Sequence, residues 1–327
     1  MSAAPATPAR RRPSTWLALG LFGLALGMMG FVAVVTFLPE AEATSARVAD
    51  AAEAVVILVS LPTVILIPGV GAVLAIQRPD NAIGWILLVA GIGIIMGIFG
   101  PFWVDWSVIV GTELPGYRTI DWLWSPMQSL GFTLLIFWLP LLFPDGHLPS
   151  PRWRPLAWVL GITMVVSFVL ESIVDRGGEF GRTLDGPVAI DDATADAMIV
   201  VLDLMGLVAL VSLSLILVSV VVRFRRSRGV ERQQMKWFLA AASLVLACVV
   251  PMTVAWLAGA EDLGPALFYA FFIALAFLPI AIGIAVMRYR LYEIDRRISR
   301  TIGWALVTGL LVGAFALLVL GSSAVLE

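Results

Sequence analysis

The sequence predicts an all-α fold, a polytopic bundle of about nine transmembrane helices with its N-terminus in the cytoplasm. Hydrophobic residues make up 60% of the chain and charged residues only 13%, and the mean hydropathy is +0.98. A soluble chain carries roughly a quarter of its residues as charged side chains. The apolar residues here come in runs of roughly 20, the length that crosses about 30 Å of hydrocarbon. The class indicated is therefore an integral membrane protein.

Nine apolar runs mark the spans in chain order. The first is about 23 residues long, whereas the apolar part of a signal peptide has roughly 7–15 residues, so it is predicted to be an uncleaved anchor. Several later runs contain a proline, which is expected to kink the helix without ending the span. The predicted spans are 16–38, 54–76, 83–104, 123–143, 156–174, 198–222, 237–257, 266–287 and 302–320.

The arginine and lysine distribution orients these spans, because basic residues in short loops remain in the cytoplasm. With the "RRR" of residues 10–12 inside, the cytoplasmic segments hold 17 of the 21 basic residues. The other four are Arg47, Arg118, Arg176 and Arg182. Four segments follow from this topology: a basic cytoplasmic tail (1–15), an eight-span membrane bundle (16–287), a cytoplasmic connector (288–301), and a ninth span with the C-terminus (302–327).

Residues suited to catalysis or metal binding are scarce. The one histidine, His147, lies in a proline-interrupted loop where a solvated side chain is expected. The one cysteine, Cys248, excludes an intramolecular disulfide and a cysteine metal cluster. No catalytic residue, cofactor or metal site is predicted, and no nucleic-acid partner is expected. No predicted span carries a charge at its midpoint, which disfavours an ion pump.

Glycines four residues apart allow two membrane helices to approach closely. This spacing predicts helix-packing surfaces at Gly23 and Gly27, at Gly93 and Gly97, and at Gly309 and Gly313.

Aromatic residues gather around the predicted outer loop between the third and fourth spans. One interpretation is an aromatic belt, since tryptophan and tyrosine favour the headgroup region. The other is an outward-facing site for an amphipathic or cationic ligand, which aromatic faces and nearby carboxylates would bind. Asp203 is the strongest candidate for an ionisable group below the outer surface. The candidate ligand-binding residues are Trp103, Trp106, Tyr117, Trp122, Trp124 and Asp203.

The connector contains five arginines as well as a stripe of apolar residues. Leu291, Ile294 and Ile298 are spaced by three and four residues and share one face of a helix. The arginines would extend toward lipid headgroups while this face rests on the bilayer. A short interfacial helix that couples two spans is predicted, although the positive-inside rule alone would explain the charge. The signal-connector residues are Arg288, Arg290, Leu291, Ile294, Arg296, Arg297 and Ile298.

Four loop motifs occur in a fixed order: "NAIGWILL" (81–88), "LLFPDGHLPSPRWRP" (141–155), "ERQQMKWF" (231–238) and "RYRLYEIDRRISRT" (288–301). Together they resemble the multi-pass membrane region of actinobacterial two-component sensor histidine kinases. The resemblance covers the chain from the second span onward, with departures at Ala82, Glu293 and Ser299. It implies a membrane sensor and no active site within this chain, because the kinase domains of such proteins would follow it.

The function expected is therefore a sensor or signal-transducing membrane module that relays a stimulus to a cytoplasmic output. The alternatives are a stand-alone permease or channel, and a membrane scaffold for a cytoplasmic partner. Nine spans from an inside N-terminus end outside, so the chain is expected to be a fragment whose intact form has a tenth span. The expected location is a bacterial plasma membrane. Expected partners are membrane lipids, a second copy of the chain, and a kinase domain or response regulator through the intact protein.

Overall fold

A computed structural model describes residues 13–36, 38, 51–174, 190–257 and 264–288, without the side chains of 51–61, 249–250, 252–266, 268–269 and 286–288. Within these residues the regular secondary structure is entirely helical, and no strand occurs. The α-helices are α1 (Pro13–Val35), α2 (Ala51–Gln77), α3 (Ala82–Val108), α4 (Tyr117–Thr133), α5 (Leu139–Leu142), α6 (Arg154–Ile173), α7 (Asp192–Arg226), α8 (Gly229–Leu257) and α9 (Gly264–Arg288). A π-helical turn, Leu134–Trp138, joins α4 to α5, and a short 3₁₀ helix, Pro151–Trp153, precedes α6.

Five helical segments in the described part of the chain are long and apolar enough to cross a membrane. They are Pro13–Val35, Ala82–Val108, Tyr117–Leu142, Pro151–Ile173 and Asp192–Arg226. Shorter apolar stretches, Pro62–Gln77 and Ala270–Ala285, lie in α2 and α9. The all-α class and the presence of membrane-length helices are thus confirmed, whereas the count of nine spans and their orientation stay predictions.

Large apolar side chains on α6 and α7 face outward. Such a surface is unfavourable in water and suits contact with lipid. The exposed set on these two helices includes Trp158, Ile162, Val165, Leu204, Leu207, Leu210, Val211 and Val218.

Close backbone contacts hold α2, α3 and α4 in antiparallel order. A Cβ built on Gly84 of α3 would lie 2.5 Å from the backbone nitrogen of Ala75 in α2. On the opposite side of α3, a Cβ on Gly93 would lie 2.4 Å from the carbonyl oxygen of Met127 in α4. Only glycine permits both approaches, because a methyl group at either position would overlap backbone atoms.

The predicted glycine surfaces have different outcomes. Gly93 and Gly97 both contact α4, and a Cβ on Gly97 would meet the side chain of Gln128, so this packing surface is confirmed. At Gly23 and Gly27 of α1 a Cβ would meet no described atom within 4 Å, so this packing surface stays a prediction. The third pair lies outside the described residues.

The helix α6 runs antiparallel to α4 and the π-helical turn. Trp138 of that turn lies beside Gly161 in the first half of α6, with Cζ2 3.8 Å from the position of a Cβ. Near the other end, Trp122 Nε1 donates a hydrogen bond to the Ser172 carbonyl oxygen at 2.5 Å. These contacts place the C-terminal end of α6 beside the start of α4.

The basic segment after the predicted sixth span is mostly helical. α7 continues to Arg226, and α8 begins at Gly229, well before the predicted span at 237–257. Arg223 and Arg225 lie in the last turn of α7, and Glu231 lies in the first turn of α8. Each charge has the sign that the adjacent helix dipole favours. Hydropathy marks only the apolar part of such helices, so the predicted boundaries fell short.

The bundle closes where α9 packs between α8 and α2. Gln234 Nε2 in α8 donates to the Ala285 carbonyl oxygen of α9 at 3.0 Å, and a Cβ on Gly283 would lie 3.6 Å from Val70 of α2. Buried side chains from α1, α2, α3, α6, α7, α8 and α9 form one apolar cluster. Arg288 ends α9; the rest of the predicted connector and the predicted ninth span lie outside the described residues.

Candidate functional site

Segments that are far apart in the sequence meet at one end of the bundle, where α2, α5, α7 and α9 end and α3, α6 and α8 begin. We call this end the loop junction. Its residues are Asn81, Phe143, Pro144, Asp145, Gly146, His147, Arg223, Glu231, Gln234, Phe238 and Ala285.

Asn81 connects the start of α3 to the turn after α5. Its Oδ1 accepts from the Ile83 amide at 2.9 Å and caps α3, while its Nδ2 donates to the Pro144 carbonyl oxygen at 3.4 Å. Gly146 in that turn has φ +80°, and a Cβ there would lie 2.6 Å from Asn81 Oδ1. The contact therefore requires a residue without a side chain and with left-handed backbone geometry.

Arg223 forms the polar centre of the loop junction. Its side chain is only 10% exposed, and its Nη2 lies 2.5 Å from Asp145 Oδ1. Nη1 donates to the His147 carbonyl oxygen at 3.2 Å, and Nε lies 3.6 Å from Glu231 Oε1. The guanidinium thus links α7 to the turn after α5 and to the first turn of α8, which suits its rigid set of five donors.

An aromatic stack lies beneath this polar layer. The rings of Phe143 and Phe238 are 4.6 Å apart between centroids with an interplanar angle of 19°, and both side chains are buried. Through Phe238, α8 holds the turn after α5; through Gln234, it holds the end of α9. α8 therefore contacts both the turn after α5 and the end of α9 at the loop junction.

His147 has an exposed side chain in this turn, as predicted from its proline-rich surroundings. Its amide donates to Asp145 Oδ1 at 3.2 Å, and its Nδ1 lies 2.9 Å from the Asp145 carbonyl oxygen. Among the described residues, no group of three or more His, Cys, Asp or Glu side chains is placed to hold a metal ion.

Two of the candidate ligand-binding tryptophans contribute to packing at the opposite end of the bundle. Trp103 contacts Phe31 and Phe99, with ring centroids 4.8 Å and 5.1 Å away. Trp106 is 9% exposed and shares a small apolar cluster with Val35. Both residues join the end of α1 to the end of α3.

The remaining candidates lie apart from that cluster. Trp124 is buried against Gly100, where a Cβ would lie only 2.3 Å from Trp124 Cβ, whereas Trp122 is half-buried and bonded toward α6. Tyr117 is half-buried at the start of α4, and its hydroxyl oxygen accepts from Arg118 Nε at 3.2 Å. The structure thus divides the candidates among several contacts, and a ligand role for them stays a prediction.

Asp203 has an exposed side chain within α7. The aspartate that shapes the start of this helix is Asp191, whose Oδ2 accepts from the Thr194 amide at 3.1 Å and whose Oδ1 accepts from the Thr194 hydroxyl at 2.6 Å. These bonds to the Thr194 hydroxyl and amide favour the carboxylate and lower the pKa of Asp191.

The loop junction was not predicted as a site. Local signals for parts of it were present: Asn81 before an apolar run is typical of a helix N-cap, and Asp145–Gly146 is typical of a turn. The pairing of Arg223 with Asp145 joins residues 78 positions apart, and nothing in either local pattern indicates the other partner.

A scan against protein-family models and searches of the curated proteins and of the solved structures found no match to this chain. The fold and the loop junction define its class as an all-α protein with membrane-length helices.

Proposed function

We propose that this chain is the membrane module of a sensor, similar to the membrane region of a sensor histidine kinase, and that it relays a stimulus to a cytoplasmic output. The observation that supports the proposal most is the loop junction. Three of the four motifs that carry the family resemblance contribute residues to it: Asn81, Asp145 and Glu231 come one from each. The fourth motif begins at Arg288, where α9 ends.

The network has the connectivity that a relay needs. Arg223 joins α7 to the turn after α5 and to α8, and Gln234 joins α8 to α9 three residues before Arg288. A change in the position of α7 therefore has a bonded route to the segment that enters the connector. The proposed route consists of directional polar contacts rather than apolar packing alone, so a shift of one member has a defined effect on the next.

The proposed topology has nine spans, an inside N-terminus and the loop junction on the cytoplasmic side of a bacterial plasma membrane. The distribution of described basic residues supports this orientation. Arg118 lies at the opposite end, at the start of α4, while the others belong to the loop-junction end: Arg78, Arg152, Arg154, Arg223, Arg225, Arg226, Arg228, Arg232 and Lys236. In this proposal the partners are anionic lipids, a second copy of the chain, and a kinase domain or response regulator.

The relay can be tested with a reporter in the connector. The full chain, carrying Cys248→Ser and Ser299→Cys, is labelled with an environment-sensitive fluorophore and placed in lipid nanodiscs. Arg223→Gln and Asp145→Asn each break the same contact and are expected to shift the emission maximum in the same direction. The matched control is Arg226→Gln, which removes an exposed charge near Arg223 in α7.

An unchanged emission maximum in both Arg223→Gln and Asp145→Asn would refute a relay from the loop junction to the connector. Opposite shifts in Arg223→Gln and Asp145→Asn would refute it as well, since the probe would then report net charge, which the two variants change in opposite directions. An equal shift in Arg226→Gln would refute the dependence on this contact. Shifts confined to the two network variants support the proposal.

A further inference from the structure

A cavity of about 330 Å³ lies between α4, α6, α7 and the π-helical turn. Its volume is at the lower end of the range for small-molecule sites, and spaces between bundle helices are a common place for such sites. Its lining extends along α6 from Leu160 to Glu171 and along α7 from Leu202 to Ala209.

Polar groups enter this cavity in two regular rows. Ser129 and Thr133 are four residues apart on α4, and Thr163, Ser167 and Glu171 follow at intervals of four on α6. Residues four apart share one face of a helix, so each row points consistently at the cavity. No hydrogen bond within the described part of the chain engages the four hydroxyls. Hydroxyls in a membrane bundle usually form hydrogen bonds between helices. These four hydroxyls form no such bond to a described residue, so they are available to a ligand.

The other walls of the cavity are apolar and aromatic. Phe132, Phe137 and Phe168 supply rings, and Leu130 and Met164 supply aliphatic surface. Phe137 belongs to the π-helical turn, a feature that frequently occurs at functional sites. The extra residue in such a turn changes the direction of the side chains that follow, so Phe137 borders a gap that a regular helix would fill differently.

We propose that this cavity binds a small arylalkylammonium compound, with the aromatic body against the phenylalanines and the ammonium group toward Glu171. A carboxylate and several hydroxyl oxygens accept the three N–H bonds of a primary ammonium group. Aromatic faces attract the same cation. Glu171 lies two residues before the end of α6, so the charged group would lie near one surface of the membrane and the rings deeper.

This binding does not depend on the proposed sensor function, and the two can fail separately. Ligand binding is measured on the cavity, whereas the relay is measured by the probe in the connector. If both hold, the ammonium compound belongs to the class of stimulus that the module detects.

The test uses the full chain in nanodiscs and equilibrium dialysis of radiolabelled 2-phenylethylammonium, with binding to protein-free nanodiscs subtracted. Saturable binding is expected. Gly206→Leu fills the cavity from α7, where a Cβ meets nothing within 4 Å, and is expected to weaken binding at least about tenfold. The matched control, Gly20→Leu, makes the same change on α1, where a Cβ also meets nothing within 4 Å, and should leave binding unchanged.

Uncharged 2-phenylethanol tests the role of the charge. Glu171→Gln is expected to weaken binding of the ammonium compound about tenfold or more relative to the alcohol, because the charge-assisted hydrogen bond is lost. Thr163→Val removes one hydroxyl at nearly constant shape and should weaken the binding of both compounds, which keeps the site testable if Glu171→Gln does not fold.

Binding that is not saturable, or that is equal in Gly206→Leu and Gly20→Leu, would overturn the proposed site. An equal loss of both compounds in Glu171→Gln would overturn the selectivity for ammonium.

Discussion

The contact between Arg223 and Asp145 allows a quantitative test of the loop junction. Replacing Arg223 with Met removes the guanidinium while keeping an apolar stem, and replacing Asp145 with Ala removes its partner. A double-mutant cycle of these two changes isolates their mutual interaction from the other contacts that each residue makes.

The structure sets the expected coupling energy. Hydrogen bonds to charged groups contribute about 1.5–3 kcal/mol, whereas exposed ion pairs contribute about 0.2–1 kcal/mol. Arg223 is 10% exposed but Asp145 is 57% exposed, so solvent screens one side of the contact. We therefore expect a coupling of about 1 kcal/mol between them. For Arg223 and Glu231, 3.6 Å apart without a hydrogen bond, we expect less than about 0.5 kcal/mol.

The assay is equilibrium unfolding in mixed detergent micelles with increasing sodium dodecyl sulfate, followed by tryptophan fluorescence and far-ultraviolet circular dichroism. Arg226→Met combined with Asp145→Ala is the control cycle, and its coupling should be near zero. A coupling of Arg223 to Asp145 no larger than this control would refute the described network. A coupling to Glu231 larger than that to Asp145 would reverse the expected ranking of the two contacts and refute the reasoning from distance and burial.

Three further predictions test the packing and the topology. Gly93→Val should lower the free energy of unfolding by about 2 kcal/mol, because a Cβ there would lie about 1 Å closer to the Met127 carbonyl oxygen than the 3.4 Å at which ordinary contact begins. Gly23→Val should change the free energy of unfolding by less than about 0.5 kcal/mol, because a Cβ there meets nothing within 4 Å. Equal effects of the two changes in the same assay would contradict this packing. Gly146→Ala places a side chain on a residue with left-handed backbone geometry, at a cost of about 1–3 kcal/mol. Amide hydrogen exchange in the turn at 143–150 should therefore accelerate, and an unchanged exchange rate would contradict this cost. In a cysteine-free background, Arg226→Cys should react with a membrane-impermeant reagent only after permeabilisation and Arg182→Cys in intact cells, and the reverse result would invert the topology.

The apolar part of the fold was predictable because hydropathy reports directly on the burial of side chains in lipid or protein. Helix ends were less predictable, since they depend on caps and on charges that hydropathy counts as polar loop. α7 begins at Asp192 because Asp191 caps it, six residues before the predicted span at 198–222. α8 begins at Gly229, eight residues before the predicted span at 237–257, and Glu231 in its first turn suits the helix dipole.

The contacts between distant segments were not predictable from one sequence. Phe143 and Phe238 each look like ordinary apolar residues beside a loop, and their stacking follows only from the three-dimensional arrangement of α5 and α8. Ser167 and Glu171 likewise show a four-residue spacing in the sequence, but the cavity that they face exists only because α7 and the π-helical turn stand opposite.

The proposed ligand site and the loop junction share one helix. α7 lines the cavity with Leu202 and Gly206 and places Arg223 in the loop junction, about 30 Å further along at 1.5 Å per residue. α7 contains no proline, whereas proline interrupts α2, α3, α4, α8 and α9. Proline is a common cause of a kink, and α7 lacks this cause. If both proposals hold, a ligand that shifts α7 at the cavity would move Arg223 relative to Asp145, and this displacement would link ligand binding to the connector.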